Sequence, residues 1–236
     1  GSVNPDSEDY RALARTGFRG ASVPVGVDPD GRERLEFIEG DVALPPYPAW
    51  ARSDAALASV AALLAELHAA SAGFDPSGLV WSDEMADPVG GSIICHNDVC
   101  LENVVFRDGS AVGLVDFDFC APGRPVYDLA QFARMCVPID DDVNASRLGW
   151  GSEDRPARLR SVADAYGLDP TGRGELLVVL DESMARGGEF VRRRVAAGDP
   201  NFIAMWNDMG GAERFDRRRR WWEAERPRFA AALRAG

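Results

Sequence analysis

The chain has 236 residues, 46% of them apolar and 27% charged, an ordinary globular composition long enough to bury a shared core without disulfides or a structural metal. The net charge is −12 and all 26 basic residues are arginine, so any chemistry that needs a lysine, from Schiff bases to a lysine clamp on phosphate, is excluded. Residues 1–150 carry 24 acidic residues against 10 arginines and residues 151–236 carry 14 against 16, an acidic front half that argues against nucleic acid and favours cationic partners.

No basic stretch followed by an apolar run opens the sequence, and no uninterrupted apolar run approaches a membrane span, so a cytoplasmic protein without membrane contact is expected. Gly1-Ser2 reads as an expression remnant. Residues 4–15 predict a short helix capped by Asn4, with Pro5 at its first position and Thr16-Gly17 at its end. Val23 to Val27 and Arg34 to Ile38 predict two strands joined by the turn Asp28-Pro29-Asp30-Gly31. Gly40 and Pro45-Pro46-Tyr47-Pro48 then mark a linker. From Ser53 to about Ala70, Leu57, Val60, Ala61, Leu64 and Leu67 recur at helical spacing, and His68 on the same helix carries no assigned chemistry.

Residues 71–92 read as loop. A strand around Ile93-Ile94-Cys95 leads into a second loop, followed by a hairpin of residues 103–106 and 111–117 about the turn Arg107-Asp108-Gly109-Ser110. After Pro125 the pattern is helical over residues 126–136, 154–166, 173–197 and 211–235. Cys95, Cys100, Cys120 and Cys136 lack the paired spacing of a zinc site and read as reduced thiols in apolar surroundings. Asp140-Asp141-Asp142 reads as a solvated loop, with a rim for a cationic substrate as the functional alternative. Arg217 to Arg220 read as the polar face of a terminal helix whose apolar stripe is Phe215, Trp222, Phe229 and Leu233.

The hairpin concentrates the chemistry. Its short turn places Asn103, before the first strand, and Asp116, after the second, at the same end. An amide oxygen and a carboxylate converging on one point form the hard-oxygen half-site that magnesium takes when phosphate oxygens and water complete the shell. Asp98, set apart in the preceding loop, is free to accept a proton. That combination suits phosphoryl transfer, in which the protein mainly positions metal, nucleotide and hydroxyl.

The ordered set His96-Asn97-Asp98-Val99-Cys100-Leu101-Glu102-Asn103, then Val115-Asp116-Phe117-Asp118, then Tyr127-Asp128-Leu129-Ala130 resembles the phosphotransferase family of aminoglycoside phosphotransferases and choline, homoserine and fructosamine kinases. The resemblance implies a protein-kinase-like α+β fold: a partial N-lobe and hinge over residues 3–42, then a mainly helical C-lobe over residues 43–236. It implies that ATP and magnesium are used on a small hydroxylated acceptor such as an aminoglycoside or amino alcohol. By the same resemblance Asp98 is the base, Asn103, Asp116 and Asp118 face the metal, and the backbone of Phe37, Ile38 and Glu39 takes the adenine edge. His96 and Asp128 brace the loop. A full small lobe would place a Gly-rich loop, a lysine and a helix glutamate before the hinge. Their absence from this sequence leaves a pseudokinase-like binding module as the alternative function.

Overall fold

The computed structural model describes residues 14–235. The helix predicted over residues 4–15, with Asn4 and Pro5, therefore lies almost wholly outside the described residues. Strand β1 (Pro24–Val27) pairs antiparallel with β2 (Glu33–Leu35) across a turn in which Gly31, at φ 87°, donates its N–H to the Asp28 carbonyl. The second strand was predicted to reach Ile38 but stops at Leu35, because its partner begins at Pro24 and only one further bond, Glu36 N–H to Val23 O at 2.8 Å, extends the ladder.

The rest of this N-terminal part is pinned to the body of the protein. Strand β3 (Asp41–Val42) pairs with β5 (Val104–Arg107), which pairs with β6 (Ser110–Leu114). Leu114 also donates its N–H to the Gly20 carbonyl at 2.6 Å, and Phe18 and Ala21 are buried in the common core. The β5–β6 turn is Asp108-Gly109, both at positive φ, the geometry that lets a two-residue loop follow the twist of its strands. Gly40 is constrained differently: a Cβ there would lie 2.4 Å from the Phe106 carbonyl.

Helix α1 (Asp54–Ser71) starts where the Ser53 hydroxyl accepts the Ala56 N–H. By length and hydropathy alone it would suffice to cross a membrane, yet nine of its residues are buried in the protein core. It packs on β6 and on helix α4 (Arg155–Tyr166). Strand β4 (Ile93–Cys95) pairs with a short β7 (Ala121–Gly123) that the sequence did not announce. Helix α2 (Pro125–Cys136) packs on α5 (Pro170–Ala196), and α7 (Gly211–Arg234) closes over α4 and α5. Two short helices, α3 (Asp142–Arg147) and α6 (Pro200–Asp208), complete the helical part.

Two expectations are corrected here. Asp140 and Asp141 are buried rather than solvated: Asp141 caps α3 by accepting the Val143 and Asn144 N–H groups, and Asp140 pairs with Arg214 at 3.1 Å. Arg218 is also buried, because it lies three residues after Phe215 and four before Trp222 and so shares the apolar stripe of α7. The four cysteines are unbridged, and Cys95, Cys120 and Cys136 are buried.

The contrast between two glycines is testable. Gly109→Ala meets no neighbouring atom and should cost only the left-handed backbone penalty of about 1–2 kcal/mol. Gly40→Ala adds a clash with backbone and should cost clearly more in urea unfolding. Equal losses would show that the Gly40 contact with β5 does not hold in solution.

Candidate active site

The site is built on the loop that leaves β4. Asp128, in the first turn of α2, accepts the backbone N–H groups of His96 at 2.7 Å and Asn97 at 2.8 Å. It also accepts from His68 Nε2 at 2.9 Å, and His68 Nδ1 takes the Tyr166 hydroxyl at 2.6 Å. Burial alone would raise the Asp128 pKa, but the hydrogen bonds and charges around it, His68 foremost, hold it below the ordinary carboxylate value. His68, Cys95 and Asp128 lie close enough together to suggest a metal group. Both Asp128 oxygens and both His68 nitrogens are already engaged, so the cluster is a hydrogen-bonded brace.

Held from below, the loop turns sharply. Asn97 sits at φ 64° and anchors its amide on the Phe119 carbonyl at 2.9 Å. His96 packs on Phe117, donates from Nε2 to the Val115 carbonyl at 3.0 Å and accepts the Asp98 N–H at Nδ1 at 3.3 Å. Asp98 is thereby turned out of the loop, half-buried. Asn103 closes a single 3-10 turn over Leu101–Asn103, and its Nδ2 donates to the Asp98 carbonyl at 2.9 Å and to its carboxylate at 3.3 Å. With the amide nitrogen committed, the amide oxygen is the group Asn103 can offer a cation.

The strand register brings the second half of the site alongside. Val104 faces Leu114, and Val115 donates its N–H to the Asn103 carbonyl at 2.9 Å. Asp116 follows at φ 64°, exposed, and Asp118 is exposed two residues later on the far side of buried Phe117. Burial raises the Asp98 pKa; Asp116 and Glu102 push it the same way, while His96 and Arg134 pull against it. Asp98, Asn103 and Asp116 thus share one field.

Phe37, Ile38 and Glu39 lie elsewhere, in the irregular segment between β2 and β3, where Phe37 is 87% exposed and the Glu39 carbonyl accepts from Arg107 at 2.7 Å. They border a shallow depression with Phe18, Arg19 and Arg107 that shares no residue with the surroundings of Asp98.

Asp98 opens instead on a cavity of about 380 Å³ between α2, α5, α6 and α7. Its walls are apolar, with Met135, Phe190, Phe202 and Met205 among them, while Glu102, Arg134, Asp140, Arg214 and Arg218 bring charge into it. The sequence reading missed the three arginines. For Arg214 and Arg218 the signal was present, since they are four residues apart and flank Phe215 on one face of α7. Nothing local marked Arg134 on α2.

Asp128→Ala strips three donors of their acceptor in the interior, so a loss of about 3 kcal/mol or more is expected in chemical unfolding. Because the Asp128 pKa is held low, its contribution is complete above the ordinary aspartate pKa and is lost as pH falls through the depressed value. An Asp128→Ala protein as stable as wild type at neutral pH would contradict the brace.

Comparison with known proteins bears on the family likeness and the fold. Residues 79–176 match the phosphotransferase enzyme family. A trifolitoxin immunity protein of Rhizobium leguminosarum bv. trifolii is 36% identical over 171 residues, which cover 70% of this chain and 64% of that protein. The chain therefore spans under two thirds of the length of this curated relative. A choline/ethanolamine kinase family protein from Mesorhizobium loti superposes with a TM-score of 0.62 at 17% identity, over 100% of this chain and 85% of the other. Plasmodium vivax ethanolamine kinase gives 0.57 at 15% identity, over 98% and 75% of the two chains. The APH(2″)-IIa of a streptomycin–ATP ternary complex gives 0.57 at 16% identity, over 89% and 81%. The chain shares the fold of the choline/ethanolamine kinases and aminoglycoside phosphotransferases, and residues 79–176, which include the loop from His96 to Asn103, match the phosphotransferase enzyme family.

Proposed function

We propose that the chain is an O-phosphotransferase that moves the γ-phosphoryl group of ATP, with magnesium, to a hydroxyl of a small molecule. The observation that carries this reading is that Asp98, which lines a cavity of small-molecule size, is hydrogen-bonded by Asn103 and lies within the electrostatic reach of Asp116. Asp98 orients the acceptor hydroxyl and takes its proton as the new O–P bond forms and the bond to the leaving ADP oxygen breaks. Asn103 and Asp116, with Asp118 beside them, are the residues that would hold magnesium. Their donor set fits: an amide oxygen fixed by its nitrogen's bonds to Asp98, and carboxylates that reach solvent. Bound there, the metal supplies charge neutralisation on the phosphate oxygens. The backbone of Phe37 and Ile38 is the candidate for the adenine edge, the Glu39 carbonyl being already engaged by Arg107. Relation to a protein named for immunity to a toxin supports an acceptor that is a toxic compound, disarmed by the added phosphate.

Thermal unfolding with and without magnesium-ATP tests this reading. A ligand at a hundred times its Kd stabilises by about 2.7 kcal/mol, or about 5–10 °C in Tm for a chain of this size. Wild type should shift and Asp116→Ala should not; an unmoved wild type would remove ATP from the function. Binding without turnover on any acceptor would leave the pseudokinase-like module.

Asp98→Asn should lower turnover by about 10²–10⁴-fold while keeping the ATP shift. Its Tm should hold or rise, since a carboxylate whose pKa is raised on folding destabilises the fold once ionised. The acid limb of the rate profile should lie above the ordinary aspartate pKa, moving higher in Arg134→Met and lower in Glu102→Gln. A limb unmoved by both variants would detach Asp98 from the rate.

A further inference from the structure

We propose that the acceptor held beside Asp98 is an anionic amphiphile: a hydroxylated molecule with an apolar body and a carboxylate that pairs with Arg134 and Arg218. This deepens the phosphotransferase reading and reverses the cationic acceptor expected from sequence.

Three arginines and three carboxylates line the cavity, yet only one arginine, Arg214, is ion-paired there. Arg134 comes from the last turn of α2, and Arg214 and Arg218 come from the second turn of α7 and beyond. Asp140 makes an ion pair with only one of them, accepting Arg214 Nη2 at 3.1 Å, while its charge acts on Arg134 and Arg218 without contact, and its other oxygen is taken by the Asp141 N–H and the Asn144 amide. Arg134 bonds only to a neutral group, from Nε to Gln131 at 3.2 Å. Arg218, 7% exposed, reaches only the Met184 carbonyl at 3.3 Å. Among the described residues neither Arg134 nor Arg218 makes an ion pair, and the buried Nε of Arg214 has no hydrogen-bond partner. Asp98 attracts Arg134 without reaching ion-pair distance, and Glu102 is held by the Tyr47 hydroxyl at 2.6 Å.

Burying a guanidinium without a carboxylate is costly, and the cost is relieved by an oxyanion that brings charge-assisted hydrogen bonds. The strain is visible in the arginines themselves. Burial, joined by repulsion from Arg134, Arg214 and Arg192, pushes Arg218 down to about 10, and burial lowers Arg134 as well. A polycationic acceptor would add to this repulsion. The remaining wall, with Phe119, Phe190, Phe202, Met205 and Met209, suits an apolar body, and the methionines can adapt to its shape.

The test is calorimetric titration of the full chain with ω-hydroxycarboxylates of four to ten carbons, set against diols and amino alcohols of the same lengths. The carboxylates should bind at least tenfold tighter than the diols, and the amino alcohols weaker still. Arg134→Met should abolish that preference and Arg134→Lys should keep part of it. Since Arg134 is half-buried at the cavity wall, makes no ion pair and has its charged form disfavoured by burial, Arg134→Met should unfold no more easily than wild type, so lost binding will not reflect a lost fold. Amino alcohols binding as well as carboxylates, no binding by any probe, or a carboxylate preference that survives Arg134→Met would each overturn the proposal. The magnesium-ATP shift, measured in parallel, separates the two readings. ATP binding without carboxylate binding sinks the anionic acceptor alone, and carboxylate binding through Arg134 without ATP binding keeps the anion site and removes phosphotransfer.

Discussion

One buried carboxylate orders the site. Asp128 sits where α1, α2 and the loop after β4 meet, and from α2 it bonds to His68 on α1 and to two N–H groups of the loop, so it ties together the segments that must agree in position. Its N–H partners are consecutive, His96 and Asn97, so it fixes two successive peptide planes and with them the direction in which the next residue leaves. The left-handed turn at Asn97 then follows, and Asp98 is presented by a backbone with little freedom. Were the same aspartate on a loop, its own entropy would pass into the site. On the first turn of a helix packed against α5 it cannot.

Charge is distributed so that the chemistry and the cavity depend on each other. Asp98 is made reluctant to ionise by burial and by its acidic neighbours, and Arg134 is made reluctant to remain charged by burial among other arginines. Each eases the other across the space where a substrate would lie. A neutral lining would raise the Asp98 pKa further, and a lining of carboxylates would do so more strongly.

What the sequence made legible was local. The Ser53 cap, the Asp108-Gly109 turn and the periodicity of α1 and α7 are written within a few residues of where they act. The loop from His96 to Asn103 was legible as far as its internal bonds go, since Asp98 to His96 and Asn103 to Asp98 connect residues two to five apart, whereas its anchors on Val115, Phe119 and Asp128 are distant in sequence. The acceptor cavity was not. Arg134 and Arg218 meet from helices separated by α3 to α6, and no pattern within either helix states that they face one another. Asp140 misled for the same reason: three aspartates in a row look hydrated until Arg214, far along the chain, is folded onto them. The early end of β2 and the pairing of β4 with β7 likewise depend on partners that local propensity does not see.

Helix α6 gives the molecule an asymmetry with an evolutionary reading. It supplies Phe202 and Met205 to the cavity, yet none of its residues is buried, and left-handed glycines, Gly198 and Gly210, flank it at either end. The half of the cavity made by α2 and the catalytic loop is bound into the core and tolerates little. The half made by α6 contributes almost nothing to that core, so substitutions there can accumulate at small thermodynamic cost. Under the proposed function, descendants of this chain could exchange one acceptor for another by drifting in nine residues while the proposed phosphate chemistry stayed fixed.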